Sequence, residues 1–167
     1  MTLRARKEAE YRAYIDEHIN NVKTVFNAMK RMELVPPEIL PQLEKNVEAH
    51  DKSKYSEEEF DGYRCKFFPV SDSEKFAARS AFGRAWEHHK IHNLHHWESP
   101  TWFDPKTRTA KPMDPVYVYE MICDWQAMSL KFGGNCLEWF QSQTRMYLAP
   151  ETRALAISIM EKIITVF

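Results

Sequence analysis

The stretch YRAYIDEHINNVKTVFNAM, residues 11–29, decides the fold class. Its apolar side chains fall at Tyr11, Ile15, Ile19, Val22, Val25, Phe26 and Met29, the spacing of one helical face held for about five turns. His18 lies on that stripe, so an imidazole faces the core. The helix must end by Pro36-Pro37, where the backbone ladder cannot continue. A second helix opens near Pro37 or Pro41, with Leu40, Leu43 and Val47 inward and His50, Asp51 and Lys54 taking over the inward face of its last turn. Ser56 followed by Glu59 reads as a capping box for a short third helix, and residues 62–72 read as a loop anchored by Phe67-Phe68-Pro69. Ser73 to His92 is helical in pattern. A further helix runs from Val116 to Phe132 and stops at Gly133-Gly134, Asn135 caps a short helix around Leu137–Gln141, and Pro150-Glu151 opens the last one. No strand-like alternation bounded by turn signals is present. The reading is all-α: a single domain over residues 1–167, a bundle of about six or seven helices.

Composition narrows the function. Of 167 residues, 44% are hydrophobic and 28% charged, enough to bury a core. Lys plus Arg total 23 against 24 Asp plus Glu, so no overall basic field argues for duplex nucleic acid or an anionic membrane. No apolar run reaches the roughly 18–20 residues of a membrane span, and residues 1–14 hold no apolar secretory segment, so the expected compartment is cytoplasmic. Cys65, Cys123 and Cys136 form no CxxC and read as reduced thiols rather than a disulfide framework or a thiolate zinc site. With 4 glycines and neither a P-loop nor a GxGxxG, a phosphate-cradling loop is excluded.

The histidines are distributed unevenly. There are 7, and His88, His89, His92, His95 and His96 crowd into one short stretch. Ionisable groups on inward faces are costly unless paired or bound to a metal. Glu120 and Asp124, four residues apart, share a face of their helix. Imidazole and carboxylate together suit Mn, Fe, Co, Ni or Zn rather than Ca or Mg, and an adjacent His-Asp pair supplies one nitrogen ligand and one carboxylate able to bridge two ions. Residues 97–115 are long and irregular for a structural connection, so Trp97 and Trp102 there are expected to line a pocket and meet a substrate.

The order His18, His50-Asp51, Asp124 resembles the HD-domain metal-dependent phosphohydrolase superfamily, an all-α family with the pattern H…HD…D. The separations, 32 residues from His18 to His50 and 73 from Asp51 to Asp124, are typical of it, and His50 to Lys54 (HDKSK) looks like its HDxxK variant. His95-His96-Trp97-Glu98 loosely echoes the His-His-Glu of the branch that holds two metals, but no GYP segment follows it, and the histidines are more compressed than in that branch. The chain also resembles an uncharacterised family of phage and bacterial proteins sharing HDxSK, HHxxHNxHHWE and EMxCDWQAM-like motifs. The resemblance implies one or two divalent transition-metal ions. His18, His50, Asp51 and Asp124 would hold the first. Asp51 with histidines from His88, His89, His95 and His96 would hold a second. It implies metal-activated water attacking a phosphate ester or anhydride, a nucleotide being the expected substrate. Lys54 would hold phosphate or the nucleophile, His88 or His89 would protonate the leaving oxygen, and Glu120 and His92 would orient ligands or meet the substrate. Two alternatives accompany this expectation. One is a di-iron oxygenase; the other is a catalytically idle HD scaffold binding a nucleotide or a protein partner. Oligomeric state is open.

Overall fold

The stripe in residues 11–29 lies within one helix, α1, Leu3–Arg31, of the computed structural model, which describes residues 1–167. Helix α1 stops before the prolines expected to end it. Glu33 takes a left-handed φ of 53°, and the Leu34 N–H turns back onto the Met29 carbonyl at 3.0 Å, a helix-terminating wrap. Helix α2 spans Leu40–Ala49 and ends earlier than the pattern predicts. His50 and Asp51 are not its last turn. His50 is the C-cap, with φ −49° and ψ 127°, and Asp51 enters the left-handed region at φ 57° before a short 3₁₀ turn, Lys52–Tyr55. Helical periodicity therefore misplaces both side chains.

Helix α3, Phe60–Phe67, occupies part of the stretch read as a loop. Ser56 does not cap it with its side chain, so the expected capping box is not formed. The pattern from Ser73 to His92 is two helices, α4, Asp72–Ala77, and α5, Arg79–His92, divided at Ala78. That division raises the count to eight α-helices. A two-stranded antiparallel hairpin interrupts the long connection, β1 Phe103–Asp104 against β2 Thr109–Ala110, with Phe103 opposite Ala110. Helix α6, Pro115–Phe132, stops at Gly133, whose φ of 87° an L side chain rarely adopts. Helix α7, Cys136–Ser142, is capped as expected, the Asn135 side chain accepting from the Glu138 N–H at 2.9 Å. Helix α8 spans Pro150–Ile163. The chain is all-α in class, and no helix is long and apolar enough to cross a membrane.

The chain gathers into two compact units. The first comprises residues 1–19 and 51–93, the second residues 20–50 and 94–167. Each has its own core. In the first, Tyr11, Ile15 and Ile19 of α1 pack with Phe60 and Tyr63 of α3 and Ala85 of α5. In the second, Val22, Val25 and Met29 of α1 join Leu43 and Val47 of α2, Val118 and Ile122 of α6, and Ile159, Met160 and Ile163 of α8.

Within the first unit, α3 and α5 approach so closely that only glycine fits between them. A Cβ on Gly62 would stand 2.8 Å from both the Ala81 carbonyl oxygen and the Ala85 Cβ. Gly62→Ala is therefore expected to destabilise by about 1–3 kcal/mol, the cost of overpacking. Gly83, inside α5 with nothing within 4 Å of a Cβ, should respond in the opposite sense: Gly83→Ala gains about 0.5–1 kcal/mol from helix propensity. Urea denaturation of both variants checks the signs; a neutral Gly62→Ala would show that the two helices separate freely.

Candidate metal centre

In the first unit the residues converge on Asp51. The residue is 1% exposed. Three basic groups surround it: His18 Nε2 lies 3.5 Å from Oδ2, His89 Nε2 lies 3.1 Å from Oδ1, and Lys54 Nζ lies 2.6 Å from Oδ2. These come from α1, α5 and the 3₁₀ turn, while the left-handed backbone at Asp51 swings its carboxylate out of the α2 register. The ammonium of Lys54 thus occupies the same oxygen that His18 faces, and a cation bound at Oδ2 would share or replace its contact.

Behind His89 lies Glu59, which the motif reading assigned only to capping. It is fully buried. Its Oε2 accepts from His89 Nδ1 at 2.7 Å and its Oε1 accepts from His88 Nδ1 at 2.7 Å. Burial works against its charge, but His89, His88 and the Ser53 hydroxyl outweigh that and hold the carboxyl below the usual glutamate range. Burial likewise pushes the His89 imidazole down, and the Asp51 charge more than reverses this, so its pKa is raised.

In the second unit the corresponding buried carboxylate is Glu120, on α6. Oε1 accepts from His50 Nδ1 at 2.9 Å and stands 3.0 Å from His95 Nδ1; Oε2 accepts from Asn46 at 3.0 Å. Burial raises its pKa, but His95 and His50 overcome this and hold it at about 2. The other ring nitrogen of His50, Nε2, faces Asp124 Oδ1 at 3.7 Å. The rings of His50 and His95 lie 4.3 Å apart, and those of His95 and His96 lie 4.2 Å apart. One ligand atom each from His50, His95 and Glu120 falls within 4.8 Å of the others.

The clustered histidines divide between the two units. Helix α5 ends at His92, and His88, His89 and His92 belong to the first unit while His95 and His96 belong to the second. His92 is exposed, stacked 4.0 Å from His88 and donating from Nδ1 to the His88 carbonyl at 2.9 Å, so it lies on the outer side of α5 rather than at Asp51. Trp102 is a core residue. It is 8% exposed and donates its indole N–H to the Leu94 carbonyl at 2.7 Å. It pins the long connection instead of meeting a substrate. Trp97 remains partly exposed, 5.3 Å from Phe103 and 6.3 Å from Tyr147 by ring centroids.

The donor chemistry fits a transition metal. Each unit presents buried imidazole nitrogens beside carboxylate oxygens, the mixture that suits Mn, Fe, Co, Ni or Zn. The buried hydroxyls of Tyr11 and Tyr63 are a separate feature of the first unit. Neither has a hydrogen-bond partner within the protein, and burial, reinforced by the Asp51 and Glu59 charges, pushes these phenols up and keeps them neutral. Two O–H donors beside charged carboxylates suit an additional polar occupant.

Fold and site together describe an all-α protein with buried His and carboxylate clusters that could hold a metal. The chain belongs to a family of unknown function, DUF5662, whose model matches residues 7–162. No curated protein and no solved structure matches it.

Proposed function

We propose that the chain is a metal-dependent phosphohydrolase of HD type, acting on a phosphate ester or anhydride, with a nucleotide as the substrate class. One observation carries the reading: Asp51, a buried carboxylate, is held by His18 and His89 at 3.5 and 3.1 Å, while His50, its neighbour in sequence, faces Asp124 at 3.7 Å. These are the four residues of the H…HD…D order, together with His89. In the first unit His18, Asp51 and His89 would hold an ion, and in the second His50 and Asp124 would contribute to the binding of another. A bound ion of this kind supplies a Lewis acid and an activated water at neutral pH. The residues of this chain do the rest. Glu59 and Glu120 orient the imidazoles, burial excludes bulk water, and Lys54 brings a positive charge to the carboxylate edge where a phosphoryl group would approach.

The test is elemental analysis of protein prepared without a histidine tag or chelator, followed by turnover on a panel of nucleotides and simple phosphate esters. One or two equivalents of a transition metal and metal-dependent phosphate release are expected. Stoichiometric iron with oxygen consumption and no phosphate release would instead identify an oxygenase. Metal-loaded protein with tight nucleotide binding and no turnover would identify a scaffold. Absence of bound metal after reconstitution would end the reading.

A further inference from the structure

A carboxylate that shares itself between two imidazoles does something that a single pair cannot. Glu59 offers one oxygen to each ring, His88 Nδ1 and His89 Nδ1, at 2.7 Å in both cases. Both rings sit on α5, next to each other in sequence, but in different surroundings. His89 is fully buried, against the edge of Tyr63 at 5.6 Å and stacked on Trp86 at 6.0 Å, whereas the His88 side chain is 28% exposed.

The tautomer of His89 can be argued from its neighbours. Three polar atoms surround Nδ1: Glu59 Oε2 at 2.7 Å, Asn93 Nδ2 at 3.1 Å and Ser53 Oγ at 3.3 Å. The Asn93 amide has two hydrogens, and both have closer acceptors, Ser53 Oγ at 2.7 Å and the His89 carbonyl at 3.0 Å. The Ser53 hydroxyl donates to Glu59. The charged carboxylate is thus the strongest and closest partner, and it can only accept, so Nδ1 carries the proton. His89 Nε2 then faces Asp51 Oδ1, 3.1 Å away. A hydrogen bond joins the two in the metal-free protein, and an ion held by His89 and Asp51 would take the place of its proton.

We propose that Glu59 is a positioning residue whose two oxygens lock His88 and His89 together into the Nδ1–H tautomer, so that His89 presents Nε2 to a metal beside Asp51. This rests on the metal-dependent reading above for its purpose, but not for its geometry. A glutamine at this position has one accepting oxygen in place of two, and its amide nitrogen would face an N–H. It can satisfy one ring in this tautomer and not both.

The experiment is long-range proton–nitrogen spectroscopy of the histidine rings in wild-type and Glu59→Gln protein, with zinc titrated in competition with a chromophoric chelator and folding checked by circular dichroism. In wild-type protein both rings should be protonated at Nδ1. In Glu59→Gln one ring should change to the Nε2–H form, and zinc affinity should fall about 10–100-fold, the cost of losing a partner that orients a ligand. If Glu59→Gln does not fold, the wild-type spectrum decides alone, since a proton on Nε2 of His89, or none on Nδ1, in the zinc-loaded protein overturns the proposal. Unchanged tautomers with undiminished zinc affinity in Glu59→Gln overturn it also, and leave the phosphohydrolase reading standing. Wild-type protein that binds no zinc but shows both Nδ1–H rings does the reverse.

Discussion

Asp51→Asn protein is expected to fold and to lose its metal. The substitution keeps the shape of the side chain and suits the backbone, because asparagine tolerates the left-handed conformation found at φ 57°. What changes is charge. Asp51 is the one group in the first unit that His18, Lys54 and His89 all address, at 3.5, 2.6 and 3.1 Å. An amide gives those groups a single weak acceptor and presents N–H donors to the rest. Loss of a residue that merely orients a ligand costs about 10–100-fold in metal affinity, so removal of this central carboxylate should cost more than about 100-fold, with phosphate release falling at least as far. Competition titration with zinc and a far-ultraviolet spectrum check both halves. A folded Asp51→Asn protein that binds metal as the wild type does would remove Asp51 from the site.

The second large effect lies away from these residues. Arg64 of α3 is 1% exposed, and both its terminal nitrogens donate to Glu74 of α4, at 2.9 and 2.8 Å. Glu74 also accepts from the Val70 N–H at 2.7 Å. Removing Glu74 leaves the buried guanidinium only Asp61, 3.8 Å from its Nε, and the Cys65 sulfur, so Glu74→Ala should destabilise by about 3 kcal/mol. At about 2–4 °C per kcal/mol for a chain of this size, the melting temperature should drop by roughly 6–12 °C. Arg64→Leu combined with Glu74→Leu should recover much of the loss, since it removes both charges together. The pH dependence follows in sign. The Arg64 guanidinium holds the Glu74 carboxyl down, against a smaller effect of burial, at about 2. An unfolded glutamate ionises at about 4.3, so this contribution is complete above about pH 4.5 and disappears as the pH falls toward 2. Glu74→Gln should flatten the acid limb of the stability curve in that window; an unchanged limb would show that the pair does not couple to folding.

Much of the helical framework was legible because periodicity reports burial directly. The α1 stripe, the Asn135 cap and the stop at Gly133 all depend on local chemistry. The site was legible in its residue types more than in its placement. His18, His50, Asp51 and Asp124 stood out by order and spacing, yet the backbone between His50 and Asp51 leaves the helix through a conformation that a non-glycine residue does not advertise. Glu59 was hidden by a plausible local role. Ser56 and Glu59 have capping-box spacing, whereas the true partners of Glu59 are His88 and His89, distant in sequence and tied to it by no period. Tyr11 and Tyr63 were read as core or not singled out, because a phenol ring satisfies an apolar pattern and its hydroxyl leaves no trace in it. Trp102 misled for the related reason that a long connection can be pinned by one buried indole.

Helix α1 serves two cores, residues up to Ile19 packing in one and residues from Val22 in the other. In terms of local unfolding, a single continuous helix can then carry two levels of amide protection, with a step near the middle rather than a gradual fraying from its end. His18 sits just on the first-unit side of that step, and Asp51, Lys54, Glu59 and His89 share its unit. These side chains keep their mutual distances only while that smaller core is closed. Any ion that requires His18 and Asp51 together consequently draws its affinity from the closed population of the first unit, and in binding would hold it closed by mass action.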